Sequence, residues 1–358
     1  MESSNQFHES FRQGLIVGYL FSATFVIVFY MSYCLPSQLV KRRKSMTPQI
    51  TKLLERLTST LSLEELHDAT DCFAIDNVIG MGKMGIMYEG RLPNGQLLAI
   101  KRPFYSQLFK RQFLSEIMVL SKYTHTNIVP LFGFCNEGKE KILVYQYMSN
   151  GRLSKWLDPL ESEVVRLKWP QRFNIALGMA RGLAWLHHCC DLHIVHLNLC
   201  SQCILLDDNF EPKISNFGEA KFMNPNTEND VGMVFKVSDG KKDVYDFGSV
   251  LFELITGKSY NELSLSSSIA NLSGNPSNFY DAIDKSLIGE GFENQVCALL
   301  KVACECVQAL PDQRPTMLEV YNNVSNMRKG QRGSSDDSDP PRRSEIVSIT
   351  SRVEIIEL

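Results

Sequence analysis

The chain has 358 residues, of which 44% are hydrophobic, 22% charged and 10% aromatic. These are globular values and exclude wholesale disorder or a fibrous architecture, and the length allows one large domain or two small ones plus extras. A balance of 37 basic against 40 acidic side chains leaves no electrostatic footprint for nucleic acid, and ten cysteines are too sparse for a small disulfide scaffold.

No Asp, Glu, Lys or Arg occurs between Arg12 and Lys41. Leu15 to Leu35 is an apolar run of 21 residues interrupted only by Ser22, Thr24 and Ser32. As a helix it spans roughly 30 Å, the thickness of a bilayer's hydrocarbon core. The alternatives are a buried core helix and a cleaved signal peptide. The latter usually has a basic start and a shorter run, whereas this start carries Glu2 and Glu9 against Arg12. Lys41-Arg42-Arg43-Lys44 follows directly, so the positive-inside rule puts residues 36–358 in the cytosol, with membrane lipid as a second contact for the basic cluster. The expected location is the plasma membrane, crossed once. The expected order is a short extracytosolic N-terminus (1–13), a transmembrane helix (14–35) and a basic juxtamembrane linker (36–75).

Within the linker, Ser62 with Glu65 three residues on is the pattern of a helix capping box. From Ile75, short runs (Val78–Ile79, Met87–Tyr88, Leu97–Lys101, Ile142–Tyr147) separated by Gly-containing turns predict antiparallel strands, and Asn94-Gly95 is the clearest hairpin signal. One helix, about Phe109 to Tyr123, interrupts them. After Asn150-Gly151 the pattern becomes helical. A long amphipathic helix opens at Trp169-Pro170, and further helices are expected near 241–256, 292–308 and 316–328. The fold class is therefore α+β, a small antiparallel β part (76–148) before a large helical part (149–328). From Lys329 the composition turns polar and low-complexity, so 329–358 reads as a disordered tail.

Gly80-Met81-Gly82-Lys83-Met84-Gly85 has the G-x-G-x-x-G form shared by dinucleotide folds and kinases. Context separates the two. A dinucleotide fingerprint opens a helix, whereas these glycines precede a strand, a hairpin and Leu98-Ala99-Ile100-Lys101, with Glu116 in the following helix. Together with LVYQYM (Leu143 to Met148), NGRL, ARGLAWLHHCC, CILLD, FEPKIS, DVYDFGSVLFELITGK and QRPTM in that order, residues 76–328 resemble a plant leucine-rich-repeat receptor-like protein kinase. The resemblance is closest to inactive, pseudokinase members that associate with co-receptor kinases, although this chain shows no leucine-rich repeats. It implies a bilobal kinase-like fold. It also implies a vestigial nucleotide site at Gly80, Gly82, Gly85, Ala99, Lys101, Glu116, Tyr145, Tyr147 and Met148.

The departures from the family pattern bear on chemistry. Where the family reads H-R-D-L-x-x-x-N, this chain reads His196-Leu197-Asn198-Leu199-Cys200-Ser201-Gln202-Cys203. Asn198 stands at the position of the catalytic base, Cys200 at that of a phosphate-contacting lysine and Cys203 at that of a magnesium-holding asparagine. Asn216-Phe217-Gly218 replaces D-F-G, so the main magnesium carboxylate is gone. Only 26 residues separate Asn216 from Asp243, without an A-P-E motif, which would leave Arg314 without its usual glutamate. None of these catalytic positions is intact and no metal is expected. No cofactor is required, and ATP binding would be weak and independent of magnesium. The implied role is a non-catalytic scaffold or regulator whose partners are active receptor-like or co-receptor kinases. The competing reading is an atypical serine/threonine kinase. Two further readings attach to particular residues: Cys200-x-x-Cys203 as a zinc or redox pair, and Lys101–Glu116 as a purely structural ion pair.

Overall fold

The computed structural model describes residues 59–82, 85–104, 107–157, 166–190, 192–223, 238–258 and 283–330, together with Ser22 and Thr24. The predicted membrane helix lies outside this set apart from those two residues, which are helical, and the predicted tail lies outside it after Gly330. Among the described residues, no helix is long and apolar enough to cross a membrane. The chain divides into two compact units, one ending with Pro130–Tyr147 and the other formed by His125–Val129 and the chain from Met148 onward.

The N-terminal unit is a six-stranded sheet. Its elements in chain order are β1 (Ser59–Thr60), α1 (Leu63–Ala69), β2 (Val78–Gly82), β3 (Gly85–Arg91), β4 (Leu97–Pro103), α2 (Gln107–Leu120), β5 (Leu131–Cys135) and β6 (Ile142–Gln146). The spatial order is β1-β5-β6-β4-β3-β2. All pairings are antiparallel except β1 with β5, where Ser59 and Thr60 lie opposite Gly133 and Phe134. The Asn94-Gly95 turn closes the β3–β4 hairpin, with Gly95 at a φ of +85°. Residues 59–75, expected to be linker, are instead built into this unit. The Ser62–Glu65 capping box is present, and α1 buries Leu66 against Phe73, Tyr88, Leu98, Ile100 and Val144. The short capped helix is expected from the sequence; β1 is not, because a two-residue strand with a distant parallel partner leaves no periodicity to read.

The C-terminal unit contains α3 (Leu153–Leu157), α4 (Trp169–His188), α5 (Ser238–Thr256), α6 (Glu293–Cys306) and α7 (Met317–Gly330). Two small hairpins accompany them: β7 (His193–Val195) with β10 (Lys221–Met223), and β8 (Ile204–Leu206) with β9 (Pro212–Ile214). The central helix α4 packs against α5 and α7, and α5 against α6. Pro170 at the start of α4 costs nothing, because the N–H it lacks has no intrahelical partner there. Buried Arg172 ties three segments together. Its guanidinium donates to the carbonyls of Leu167 and Leu254 and pairs with Asp284 at 2.7 Å. Gly178 lets β9 approach α4, since a Cβ there would sit 2.5 Å from Pro212 and 2.8 Å from the Asn127 amide. Asn127, fully buried, donates to Pro212 and Glu211 and accepts from Arg181, so residues 125–129 are fastened to β9.

Candidate functional site

In the N-terminal unit the glycine motif is the β2–β3 turn, where Gly82 pairs with Gly85 and Gly80 with Met87. Lys83 and Met84 lie outside the described residues. Gly85 is at a φ of +152°, and a Cβ there would lie 2.4 Å from the Arg102 carbonyl oxygen, so the strand closes on β4 only because the side chain is absent. Ala99 is buried on β4, opposite Glu89 on one neighbour and Tyr145 on the other. Two residues on, Lys101 Nζ meets Glu116 of α2 at 2.9 Å, with the Glu116 side chain only 2% exposed. Tyr145 is fully sequestered beside that carboxylate. Burial first, and Glu116 second, hold its hydroxyl protonated far above the ordinary phenol range. Tyr147 is half-buried, and its hydroxyl is raised by burial and then by Glu89. Met148 begins the other unit, where its carbonyl accepts from Gly151 N–H.

In the C-terminal unit the segment between β7 and β8 is organised by Asp243, a fully buried carboxylate on α5. It accepts from the backbone N–H groups of His196 and Leu197, each at 2.7 Å, and lies 2.9 Å from His187 Nε2. Burial alone would raise its pKa, but the His187 contact and the backbone N–H of His196 outweigh that and hold it below the usual carboxylate value. His196 is fully buried, with Nε2 at 2.9 Å from the Ser215 carbonyl, Nδ1 accepting from Asn198 N–H, and the ring edge-on to Phe217. Leu197 adopts the left-handed conformation (φ +64°), uncommon for a branched side chain and sustained here by Asp243. In the sequence Asp243 stands out only as the start of DVYDFG and the end of the 26-residue interval from Asn216. Its role depends on α5 reaching back to a loop 46 residues earlier, which no local pattern records.

The four altered positions meet. Cys203 Sγ donates to the Asn198 carbonyl at 3.2 Å, lies 3.2 Å from Cys200 Sγ, and accepts from Asn216 Nδ2 at 3.6 Å. A short 3-10 turn, closed by Cys203 N–H to the Cys200 carbonyl at 2.9 Å, places the two sulfurs together. Cys203 is buried and Cys200 half-buried. Their titrations are linked. The Cys200 thiol is brought down to about 7, chiefly by the single Cys203 S–H when it turns from the Asn198 carbonyl to the Cys200 sulfur, while that same interaction and then burial push Cys203 well up. Asn216 is itself left-handed (φ 71°). The donor set suits magnesium badly: two thiols and two carboxamides, with one amide N–H turned onto a sulfur and no carboxylate at any of the four positions. Among the described residues, no group of three or more His, Cys, Asp or Glu converges as a metal-binding cluster. Among the described residues, Arg314 donates to the carbonyls of Gln308, Lys241 and Ala309 and stacks over Tyr245, and meets no glutamate.

The protein tyrosine and serine/threonine kinase family matches residues 73–324. A protein of Arabidopsis thaliana named "Probably inactive leucine-rich repeat receptor-like protein kinase" is 41% identical over 319 residues, covering 80% of this chain and 51% of its own length. The inactive LRR receptor-like serine/threonine-protein kinase BIR2 of Arabidopsis thaliana is 33% identical over 327 residues, covering 85% and 54%. The solved pseudokinase domain of BIR2, described as an immune regulator of the RLK/Pelle family, superposes with a TM-score of 0.62 at 35% identity, covering 76% of this chain and 86% of that domain. The chain spans about half the length of these curated relatives. The chain belongs to the protein tyrosine and serine/threonine kinase family, and within it is homologous to the plant leucine-rich-repeat receptor-like kinases.

Proposed function

We propose that the chain is a membrane-anchored receptor-like pseudokinase that works by binding, as a scaffold or regulator of receptor-kinase signalling in plant immunity or growth. Its partners would be active receptor-like or co-receptor kinases at the plasma membrane. The basic run after the apolar segment would face anionic lipid. The observation that carries the reading is the convergence of Asn198, Cys200, Cys203 and Asn216 around one thiol. A carboxamide at Asn198 cannot take the proton of a substrate hydroxyl, and the site lacks the charge that would hold magnesium. Losses of a few kcal/mol each, at about 1.4 kcal/mol per tenfold, compound to negligible turnover. The names of the relatives support the same conclusion.

The test is phosphotransfer by purified full-length chain, with radiolabelled ATP and either Mg²⁺ or Mn²⁺. The expected result is no incorporation above background. Incorporation that vanishes in Lys101→Met would defeat the proposal. Nucleotide binding is a separate expectation. Lys101 and the glycine turn remain, so ATP should bind weakly and to the same extent with or without Mg²⁺. A thermal shift that grows several-fold when Mg²⁺ accompanies ATP would show that the loop still holds a metal.

A further inference from the structure

We infer that Cys200 and Cys203 are an oxidation site, a thiol pair that hydrogen peroxide converts to a disulfide within the altered loop. The geometry is already close to that of the product. The two sulfurs lie 3.2 Å apart and the residues close one turn through Cys203 N–H to the Cys200 carbonyl. Such a turn keeps the two Cα atoms within about 7 Å, near the span a disulfide bridges, so bonding requires the sulfurs to close by only about 1 Å. The pair is also asymmetric in the useful sense. Cys200 is the half-buried member and ionises near neutrality, at about 7, whereas buried Cys203 keeps its proton. The attacking and resolving roles are thereby assigned. Among the described residues, no other two thiols are placed in hydrogen-bond contact. Cys189 is raised by burial, Cys304 is pushed to about 11, and Cys306 is raised further still.

The chemistry balances with peroxide as the only co-reactant. The Cys200 thiolate sulfur attacks one peroxide oxygen, the O–O bond breaks, and hydroxide leaves and takes up a proton, giving a sulfenic acid and water. The Cys203 sulfur then attacks the Cys200 sulfur. An S–S bond forms, the S–O bond breaks, and the departing hydroxide takes the Cys203 proton as a second water. Two thiols lose two electrons and two hydrogens, and peroxide is reduced to two waters. The disulfide also removes the Cys203 S–H that donates to the Asn198 carbonyl, and alters the sulfur that accepts from Asn216. Oxidation therefore rearranges the hydrogen bonds of two other altered positions.

The experiment uses the full-length chain in detergent. Before oxidation, iodoacetamide at pH 7 should alkylate Cys200 on the order of 10²-fold faster than Cys304, the larger thiolate fraction being partly offset by lower intrinsic nucleophilicity. After stoichiometric hydrogen peroxide and trapping of free thiols with N-ethylmaleimide, fragment sequencing should show Cys200 and Cys203 joined, unlabelled, and restored by dithiothreitol. Cys203→Ser should leave Cys200 as a sulfenic acid that reacts with dimedone, and Cys200→Ser should abolish the product. The inference is overturned if both cysteines take maleimide after peroxide, if another cysteine pair oxidises first, or if Cys200 alkylates no faster than Cys304. Circular dichroism reports whether the variants fold, and the disulfide mapped by fragment sequencing in the unmodified chain decides the matter if they do not.

Discussion

His125 shows how a single side chain sets a pH limit on the C-terminal unit. It stacks on Trp185 at 5.0 Å, and its Nδ1 accepts from Asn127 N–H. Burial first, then the charges of Arg181 and Lys213, bring its pKa from 6.5 to about 4. The unfolded chain therefore takes up a proton near pH 6.5 that the folded chain refuses until about pH 4. Stability is full above 6.5, falls as pH drops through this window, and loses up to about 3 kcal/mol by its lower end. In His125→Phe, which keeps a ring against Trp185, the slope of stability against pH between 6.5 and 4 should be shallower, as read by denaturant unfolding at several pH values. Parallel slopes would assign the titration elsewhere. Residues such as Asn198, Cys203 and Asn216 were legible one at a time, because each breaks a kinase motif. Their meeting at one sulfur was not legible, since it depends on the β8–β9 hairpin returning Ser215 and Asn216 to Cys203, where Ser215 N–H donates to the Cys203 carbonyl. The roles of His125 and Asp243 were silent for a related reason: both are defined by burial and by partners distant in sequence.

At the level of elements, the start of the N-terminal unit is where structure departs most from pattern. Helix α1 is seven residues long and too short to be stable alone, so its order derives from the cap and from packing. Ser62 accepts from Glu65 N–H while the Glu65 carboxylate accepts from Ser62 N–H at 2.7 Å, and Leu66 is 1% exposed in the sheet's apolar cluster. Leu66→Ala should cost about 2–5 kcal/mol and Ser62→Ala about 1 kcal/mol. Native-state hydrogen exchange at the β3 and β4 amides reports the effect on this unit alone. If Leu66→Ala leaves those amides as protected as before, residues 59–69 are an appendage and not part of the fold. The capping box was visible in the sequence because it is local, with an interval of three residues. The attachment of β1 to β5 was not, because parallel pairing across more than 70 residues leaves no imprint on either strand. The long helices were legible for the opposite reason: α4 repeats its apolar face over five turns, from Trp169 to Leu186.

For the whole molecule, the parts that maintain shape and the parts that perform transfer have separated. The Lys101–Glu116 pair, the Asp243 anchor and the Arg172–Asp284 bridge are all formed. The positions that would supply base and metal ligands carry amides and thiols. On the proposed reading, a kinase fold without its chemistry still offers a binding surface, and a membrane anchor would raise the effective concentration of a partner in the same bilayer without any new contact. The folded part, not the apolar segment, should then carry recognition. The β1–α1 attachment sets the right place to divide the chain, since a cut at residue 70 would tear Leu66 out of the sheet's apolar cluster while a cut at 58 would not. Full-length chain, chain lacking the tail (1–328) and residues 1–58 should be expressed with an epitope tag in plant cells, and co-receptor kinases measured in each precipitate. The first two should recover them equally and the third should fall to background. Equal capture by residues 1–58 would make the apolar segment the binding element, and loss of capture on removing 329–358 would move recognition to the tail.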